Sequence, residues 1–184
     1  LRETERCARL GARGVGELHP DTQGFKLSSR EVMGPLMEVV RQHRLIVLTH
    51  ASEPVGHLSP GKGVTTPDIL FNLIRQYPKI PIICAHWGGG LPFYALMPEV
   101  RRSLQSVYFD SAATNYLYQS KVFSMAVQLV GVEHILFGSD YPMLHPTRVI
   151  SQVNAQPLSD LHRRAILGAN AQRLLSLTGA QERS

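Results

Sequence analysis

The stretch "ILFGSDYPMLHP", residues 135–146, is an apolar run that stops at Gly138 and places Asp140 directly after it. A short apolar run is typical of a buried strand, and the glycine indicates its end. One carboxylate after one strand carries little information. The stretch becomes informative if residues of related chemistry follow the other strands of the same sheet.

Five short apolar runs are typical of strands buried on both faces, because apolar and polar residues do not alternate in them. They cover residues 14–18, 45–49, 81–85, 106–109 and 134–137. Helical patterns cover residues 31–43, 67–77, 119–130, 159–167 and 170–177. Strands that alternate with helices predict an α/β fold, with one parallel sheet and right-handed helical crossovers.

Composition limits the class of protein. The 184 residues suit one domain, and 43% hydrophobic against 18% charged residues favours a folded core. No apolar run approaches the roughly 20 residues that span a bilayer, so we expect no membrane partner. The net charge is +5, but Arg and Lys are scattered, so we expect no nucleic-acid partner. Cys84 within an apolar run suggests a reduced core cysteine and a cytoplasmic location.

Polar residues with acid–base or metal-binding chemistry follow the predicted strands. They are Glu17 and His19, His50, His86, Asp110 and Asp140. Because the carboxyl ends of parallel strands meet at one edge of a sheet, we expect a shared site there. Imidazole and carboxylate groups are suitable ligands for a divalent metal, Zn first and Mn second. The alternative for any single histidine is a hydrogen-bonded structural residue.

Two further stretches suggest contacts with a substrate. The stretch "SEPVGHLSPGKGVTTP", residues 52–67, contains His57 and Lys62 and leads into a helix. Backbone N–H groups and Lys62 there predict an anion site, so the expected partner is a small molecule with a carboxylate or phosphate. The alternative is a rigid structural loop. Trp87 is predicted to line the pocket, with a core tryptophan as the alternative.

A family resemblance rests on several motifs together. These are "ELHP", "LTHASEP", "CAHWGGG", "FDSAAT", "LFGSDYP" and the tail "ILGANAQRLLSL". Together they resemble the amidohydrolase superfamily, and its amidohydrolase-related branch (amidohydrolase 2) in particular. That branch also includes decarboxylases of the aminocarboxymuconate-semialdehyde type. The resemblance implies a metal-dependent (β/α)8 TIM-barrel type of fold, of which about five parallel strands are present here as a partial barrel.

The resemblance also implies roles for individual residues. His50 and Asp140 match metal ligands, and Asp140 also matches a proton-transfer residue. His86 matches a ligand in binuclear members and an acid–base residue in mononuclear ones. Glu17 matches a position that carries a bridging carboxylate in binuclear members. His19, together with the loop residues and Trp87 named above, is expected to contact substrate.

The expected activity is hydrolysis of a C–N or C–O bond by a metal-activated water, and Glu17 favours it because it suggests two metals. The alternatives are non-oxidative decarboxylation and an inactive scaffold. The family's His-x-His pair is absent from the sequence. We therefore expect residues 1–184 to form a single hydrolase domain without the first three βα units. Its two open sheet edges would favour aggregation or pairing with another chain, so a homo-oligomer is one expected outcome.

Overall fold

The computed structural model describes residues 1–58 and 61–177 and contains one five-stranded parallel sheet. The strands β1–β5 are Gly14–Leu18, Ile46–Thr49, Ile82–Cys84, Val107–Asp110 and Ile135–Leu136. Each strand pairs in parallel with the next one along the chain. All five predicted strands are confirmed, and their ends agree to within one residue. The architecture is that of a partial (β/α) barrel, as expected.

Helices connect the strands and follow the last one. The α-helices are Arg2–Arg9, Pro20–Gln23, Arg30–Gln42, Pro67–Gln76, Pro98–Ser103, Thr114–Leu117, Val122–Val130, Pro146–Asn154, Asp160–Arg164 and Asn170–Leu177. Shorter 3-10 helices cover Leu91–Leu96 and Val132–His134. As predicted, Gly168 separates two tail helices, because its backbone is not helical and kinks the turn Ala165–Ala169 between Asp160–Arg164 and Asn170–Leu177. No helix in the described residues is long and apolar enough to cross a membrane.

The core lies between the sheet and the helices. On that face the strands contribute Val47, Ile82 and Phe109, which are almost completely buried and pack in one cluster with helical residues such as Leu73 and Phe123. The other face carries a smaller cluster around Ile46, Leu136 and Leu174. Cys84 is a free, fully buried cysteine of the main core, as the sequence predicted.

The first strand differs from the prediction that every strand is buried on both faces. In β1, Gly14, Gly16 and Glu17 are exposed, and the pairing with β2 shifts register between Val15 and Leu18. Gly16 has φ +152°, and a Cβ atom there would lie 2.4 Å from the carbonyl oxygen of Leu48. An irregularity of this kind redirects the side chains beside it. The irregular segment contains Glu17, which is the first residue of the site described below.

Candidate metal centre

Three predicted residues meet at the carboxyl edge of the sheet. Glu17 lies in β1, His50 directly follows β2, and His86 follows β3 after one residue. One potential ligand atom from each lies within 4.8 Å of those of the other two. The convergence follows from the parallel order of the strands, because equivalent ends of neighbouring strands stand side by side.

Glu17 connects the two histidines. Its Oε1 lies 2.9 Å from Nδ1 of His50 and 3.7 Å from Nε2 of His86. The hydrogen bond with His50 and the close approach of His86 lower the pKa of the Glu17 carboxyl from 4.5 to about 2. Glu17 is therefore a carboxylate that accepts hydrogen bonds at neutral pH, and it carries the negative charge of the site.

His50 is enclosed on several sides. Its ring stacks on that of His19 with centroids 4.1 Å apart and meets the ring of His86 edge-on at 4.9 Å. Its Nε2 lies 3.2 Å from Oγ of Ser52, so both ring nitrogens have polar neighbours. Only 8% of the residue is exposed. His19 thus lies beside the site, where it stacks on His50 while its Nδ1 bonds the hydroxyl of Thr22 at 2.6 Å. Its contact with substrate stays a prediction.

His86 stands on an unusual backbone segment. Residues 86–90 all have positive φ, from 53° at His86 to 95° at Gly90. The carboxylate of Asp110 accepts the backbone N–H of His86 at 3.0 Å and that of Ala112 at the same distance. A Cβ atom at Gly89 would lie 2.3 Å from a backbone oxygen of the loop after β2. The "WGGG" motif therefore allows a tight left-handed turn that presents the imidazole of His86 to Glu17.

Charges around His86 favour its protonated form. Burial lowers its pKa, but the nearby carboxylate of Glu17 and the negative charges of Asp110 and Asp140 outweigh burial and raise the pKa to about 9. Its Nδ1 lies 3.4 Å from the carbonyl oxygen of Ala112, which orients Nε2 toward Glu17. Burial raises the pKa of Asp110, although His86 and the two backbone N–H groups oppose that shift.

Asp140 lies in the same cavity wall as His50 and His86, outside the group of three ligand atoms. Its φ is +64°, in the left-handed region that non-glycine residues rarely adopt. Ser111 holds the preceding segment, because its hydroxyl donates to the carbonyl oxygen of Gly138 and accepts from the N–H of the same residue. Asp140 therefore faces the site from the β5 end, and its role as a ligand stays a prediction.

A cavity of about 300 Å³ opens in front of these residues. His57 and Lys62 line it, as predicted, together with apolar side chains such as Val55, Leu117 and Met143. The ammonium group of Lys62 donates to the carbonyl oxygens of Val55 and His57, at 2.8 and 3.4 Å. The cavity thus combines apolar side chains with histidines, a carboxylate and a lysine, which suits a small, partly apolar anion.

Trp87 does not line this cavity. It is fully buried, packs edge-on against Phe123 at 5.0 Å, and donates from its indole nitrogen to the hydroxyl of Thr114 at 2.8 Å. The prediction of a substrate contact is wrong for this residue, and the core alternative is what the structure shows. The left-handed turn is the physical reason, because it directs Trp87 into the core while His86 faces the cavity.

The three side chains fit a divalent metal. They offer one carboxylate oxygen and two imidazole nitrogens, the ligand types of zinc and manganese sites. Ligands bound at about 2.0–2.2 Å around a tetrahedral ion lie about 3.3–3.6 Å from one another. The two contacts of Glu17, 2.9 and 3.7 Å, lie on either side of that range. Groups behind the ligands, Ser52 and the carbonyl of Ala112, orient the rings as in known metal sites.

Comparison with known proteins gives one family match and several relatives. The family model described as Amidohydrolase matches residues 1–177. The chain is 26% identical over 125 residues to a gamma-resorcylate decarboxylase of Rhizobium sp. (strain MTP-10005), covering 59% of this chain and 38% of that protein. It is 25% identical over 174 residues to a 6-methylsalicylic acid decarboxylase of Penicillium expansum, covering 77% and 52%. The chain thus spans about half or less of these relatives.

One solved structure shows the same fold with a metal. The crystal structure of a dihydroxybenzoic acid decarboxylase from Polaromonas sp. JS666, with bound manganese and the inhibitor 2-nitroresorcinol, matches with a TM-score of 0.65 at 20% identity. The match covers 80% of this chain and 54% of that one. At this level of identity the likeness concerns the fold.

Proposed function

We propose that this chain acts as a metal-dependent non-oxidative decarboxylase of a small hydroxylated aromatic carboxylate. The chain belongs to the amidohydrolase family. The observation that carries the proposal is the convergence of Glu17, His50 and His86 beside a partly apolar cavity. The two curated relatives support the reaction class, since both are named as decarboxylases of ortho-hydroxybenzoic acids. Hydrolysis, which the sequence alone favoured, becomes the second candidate.

The proposed metal is Mn²⁺ or Zn²⁺, held by Glu17, His50 and Asp140. Manganese in the related Polaromonas enzyme supports the first choice. When bound, the ion would supply positive charge that attracts the oxygens of the substrate and stabilises negative charge on them. His86 then remains available as an acid, as in mononuclear members of the family.

The residues of the chain divide the remaining work. His86 donates a proton from Nε2 to the ring carbon that carries the carboxylate. The carbon–carbon bond then breaks, its electrons restore the aromatic ring, and carbon dioxide leaves. Val55, Leu117 and Met143 pack against the ring and exclude water, and Lys62 binds a polar substituent at the far end of the cavity.

Hydrolysis is the second candidate, and one observation favours it. Oε1 of Glu17 approaches both His50 and His86, the position expected of a carboxylate shared between two ligand histidines. His86 would then hold metal instead of donating a proton, and Asp140 would move the proton of the attacking water. His86 is thus a proton donor in decarboxylation and a metal ligand in hydrolysis.

The test uses His86→Asn in the chain loaded with Mn²⁺. Carbon dioxide release is measured on 2,6-dihydroxybenzoate and 6-methylsalicylate, and product release on a panel of amides, esters and lactones. Decarboxylation by the wild type, lost in a variant that keeps its metal, supports the proposal. Turnover of the hydrolysis panel alone, with metal lost in the variant, favours hydrolysis. A wild-type chain that binds no metal contradicts both and favours a scaffold.

A further inference from the structure

We propose that Ser52 is a positioning residue that fixes which ring nitrogen of His50 faces Glu17 and the metal. This inference rests on the metal-binding part of the proposed function and goes beyond it, because Ser52 touches neither metal nor substrate in this role. Its hydroxyl acts through His50.

The contacts of His50 account for both of its ring nitrogens. Nδ1 lies 2.9 Å from Oε1 of Glu17, and Nε2 lies 3.2 Å from Oγ of Ser52. Ser52 is itself fixed, with only 2% of the residue exposed. Its Oγ accepts the backbone N–H of Gly63 at 2.9 Å, and its own N–H donates to the carbonyl oxygen of Thr65 at 2.9 Å. The serine is therefore a rigid part of the wall behind His50.

The chemistry of the partners decides the tautomer. A carboxylate only accepts hydrogen bonds, so the nitrogen that faces Glu17 carries the proton in the metal-free chain. Nε2 is then an acceptor, and the hydroxyl of Ser52 donates to it. When a metal takes the place of the proton on Nδ1, the neutral ring must carry its proton on Nε2. The hydroxyl then accepts, because it has a second lone pair besides the one used by Gly63.

A hydroxyl is thus suited to both states of His50. It donates before metal binding and accepts afterwards, so the ring keeps its orientation and a hydrogen bond throughout. An apolar side chain would leave Nε2 without a partner in both states. Residues in this position behind metal ligands typically contribute about 10- to 100-fold to metal affinity.

The same hydroxyl joins the metal centre to the cavity wall. Gly63, which donates to Ser52, directly follows Lys62, and Lys62 lines the cavity. The loop that contacts substrate and the ring of His50 are therefore held by one group. Loss of the hydroxyl should disturb metal binding first, because no other described residue forms a hydrogen bond with Nε2 of His50.

Two measurements on the full chain test the inference, with Ser52→Ala, Ser52→Thr and Asn170→Ala. Nitrogen-15 NMR of the metal-free chain at about pH 8, where free imidazole is neutral, reports the tautomer of His50. Competition with a chelating dye reports Mn²⁺ affinity. Asn170→Ala is the control, because it removes two buried hydrogen bonds, to Val132 and Ile135, at the other end of β5.

We expect wild type and Ser52→Thr to keep one ring orientation and therefore one tautomer, protonated at the Nδ1 that faces Glu17. In Ser52→Ala the ring loses the contact behind it and can rotate away from Glu17, so we expect a mixture of tautomers. We expect Ser52→Ala to bind Mn²⁺ about 10- to 100-fold more weakly, and Asn170→Ala to lose stability but keep its affinity. An unchanged tautomer or an unchanged affinity in Ser52→Ala overturns the inference. A wild-type chain that binds no Mn²⁺ contradicts the proposed function instead, and the NMR comparison still decides the role of Ser52.

Discussion

The backbone N–H of His86 donates to the carboxylate of Asp110 at 3.0 Å, although 24 residues separate the two in the sequence. The same oxygen accepts the N–H of Ala112 at 3.0 Å. One carboxylate at the end of β4 therefore fixes the backbone that carries the imidazole at the end of β3. We therefore expect Asp110 to act on the backbone that positions His86.

Replacement of Asp110 should therefore destabilise the chain, and the loss should be smaller when the new side chain keeps an oxygen that accepts hydrogen bonds. Asp110→Ala leaves two backbone donors without a partner, at about 1–3 kcal/mol each, whereas Asp110→Asn keeps an acceptor oxygen and should cost less. Urea unfolding measures the difference, with Asp160→Ala as a control, since the exposed carboxylate of Asp160 pairs with Arg163 one turn along the same helix. Equal losses in the Asn and Ala variants would count against this account of Asp110.

Gly89→Ala should be more damaging than an ordinary substitution at a positive φ. The φ of Gly89 is +61°, and its Cβ would collide with the carbonyl oxygen of Ser52 at 2.3 Å. Gly24→Ala is the matched control, because its φ is +72° and nothing lies within 4 Å. The control should lose about 1–2 kcal/mol from backbone conformation alone, and Gly89→Ala distinctly more. Thermal unfolding compares the two variants. Equal losses of stability would show that the loop around Ser52 shifts without cost to admit the Cβ atom.

The convergence of Glu17, His50 and His86 could be predicted from sequence because it depends only on strand order. Parallel strands that follow one another in the chain bring their ends together, whatever the details of the turns. The side-chain directions after the strands could not be predicted. Trp87 faces the core because of a left-handed turn, and the motif "CAHWGGG" alone does not show that His86 and Trp87 have positive φ angles. The bond between Ser52 and His50 was missed, although a serine two residues beyond a strand-end histidine is a signal that could have been weighed.

The stability of the metal-free chain should depend on pH through His86. Its pKa is raised from 6.5 to about 9, so its stabilising contribution is fully present below about 6.5 and is lost as pH rises through about 9. Glu17 affects stability at acidic pH. Because its pKa is lowered, its contribution to the free energy of unfolding is lost only as pH falls through about 2. Urea unfolding in the presence of a chelator, from pH 6 to pH 10, measures the decline. Glu17→Gln should flatten it, and a flat wild-type profile would contradict the assigned shift.

Lys62→Met should weaken substrate binding more than it lowers turnover. Lys62 lines the cavity, and among the described residues its ammonium group bonds Val55 and His57 and does not contact Glu17, His50 or His86. A charge-assisted hydrogen bond is worth about 1.5–3 kcal/mol, so KM should rise about tenfold or more while kcat changes little. Steady-state kinetics compare it with Lys121→Met, which alters an exposed lysine outside the cavity lining. An unchanged KM with a reduced kcat would place Lys62 in the chemical step.

Titration of the chain with Mn²⁺, followed by the electron paramagnetic resonance signal of the free ion, tests the central claim most directly. His50 is a metal ligand under both candidate activities, so His50→Ala should lose the tight site. His43→Ala, which alters a histidine at the end of the helix Arg30–Gln42, should bind like the wild type. The account predicts a single tight Mn²⁺ per wild-type chain that disappears in His50→Ala. Equal binding by the wild type and His50→Ala would contradict it.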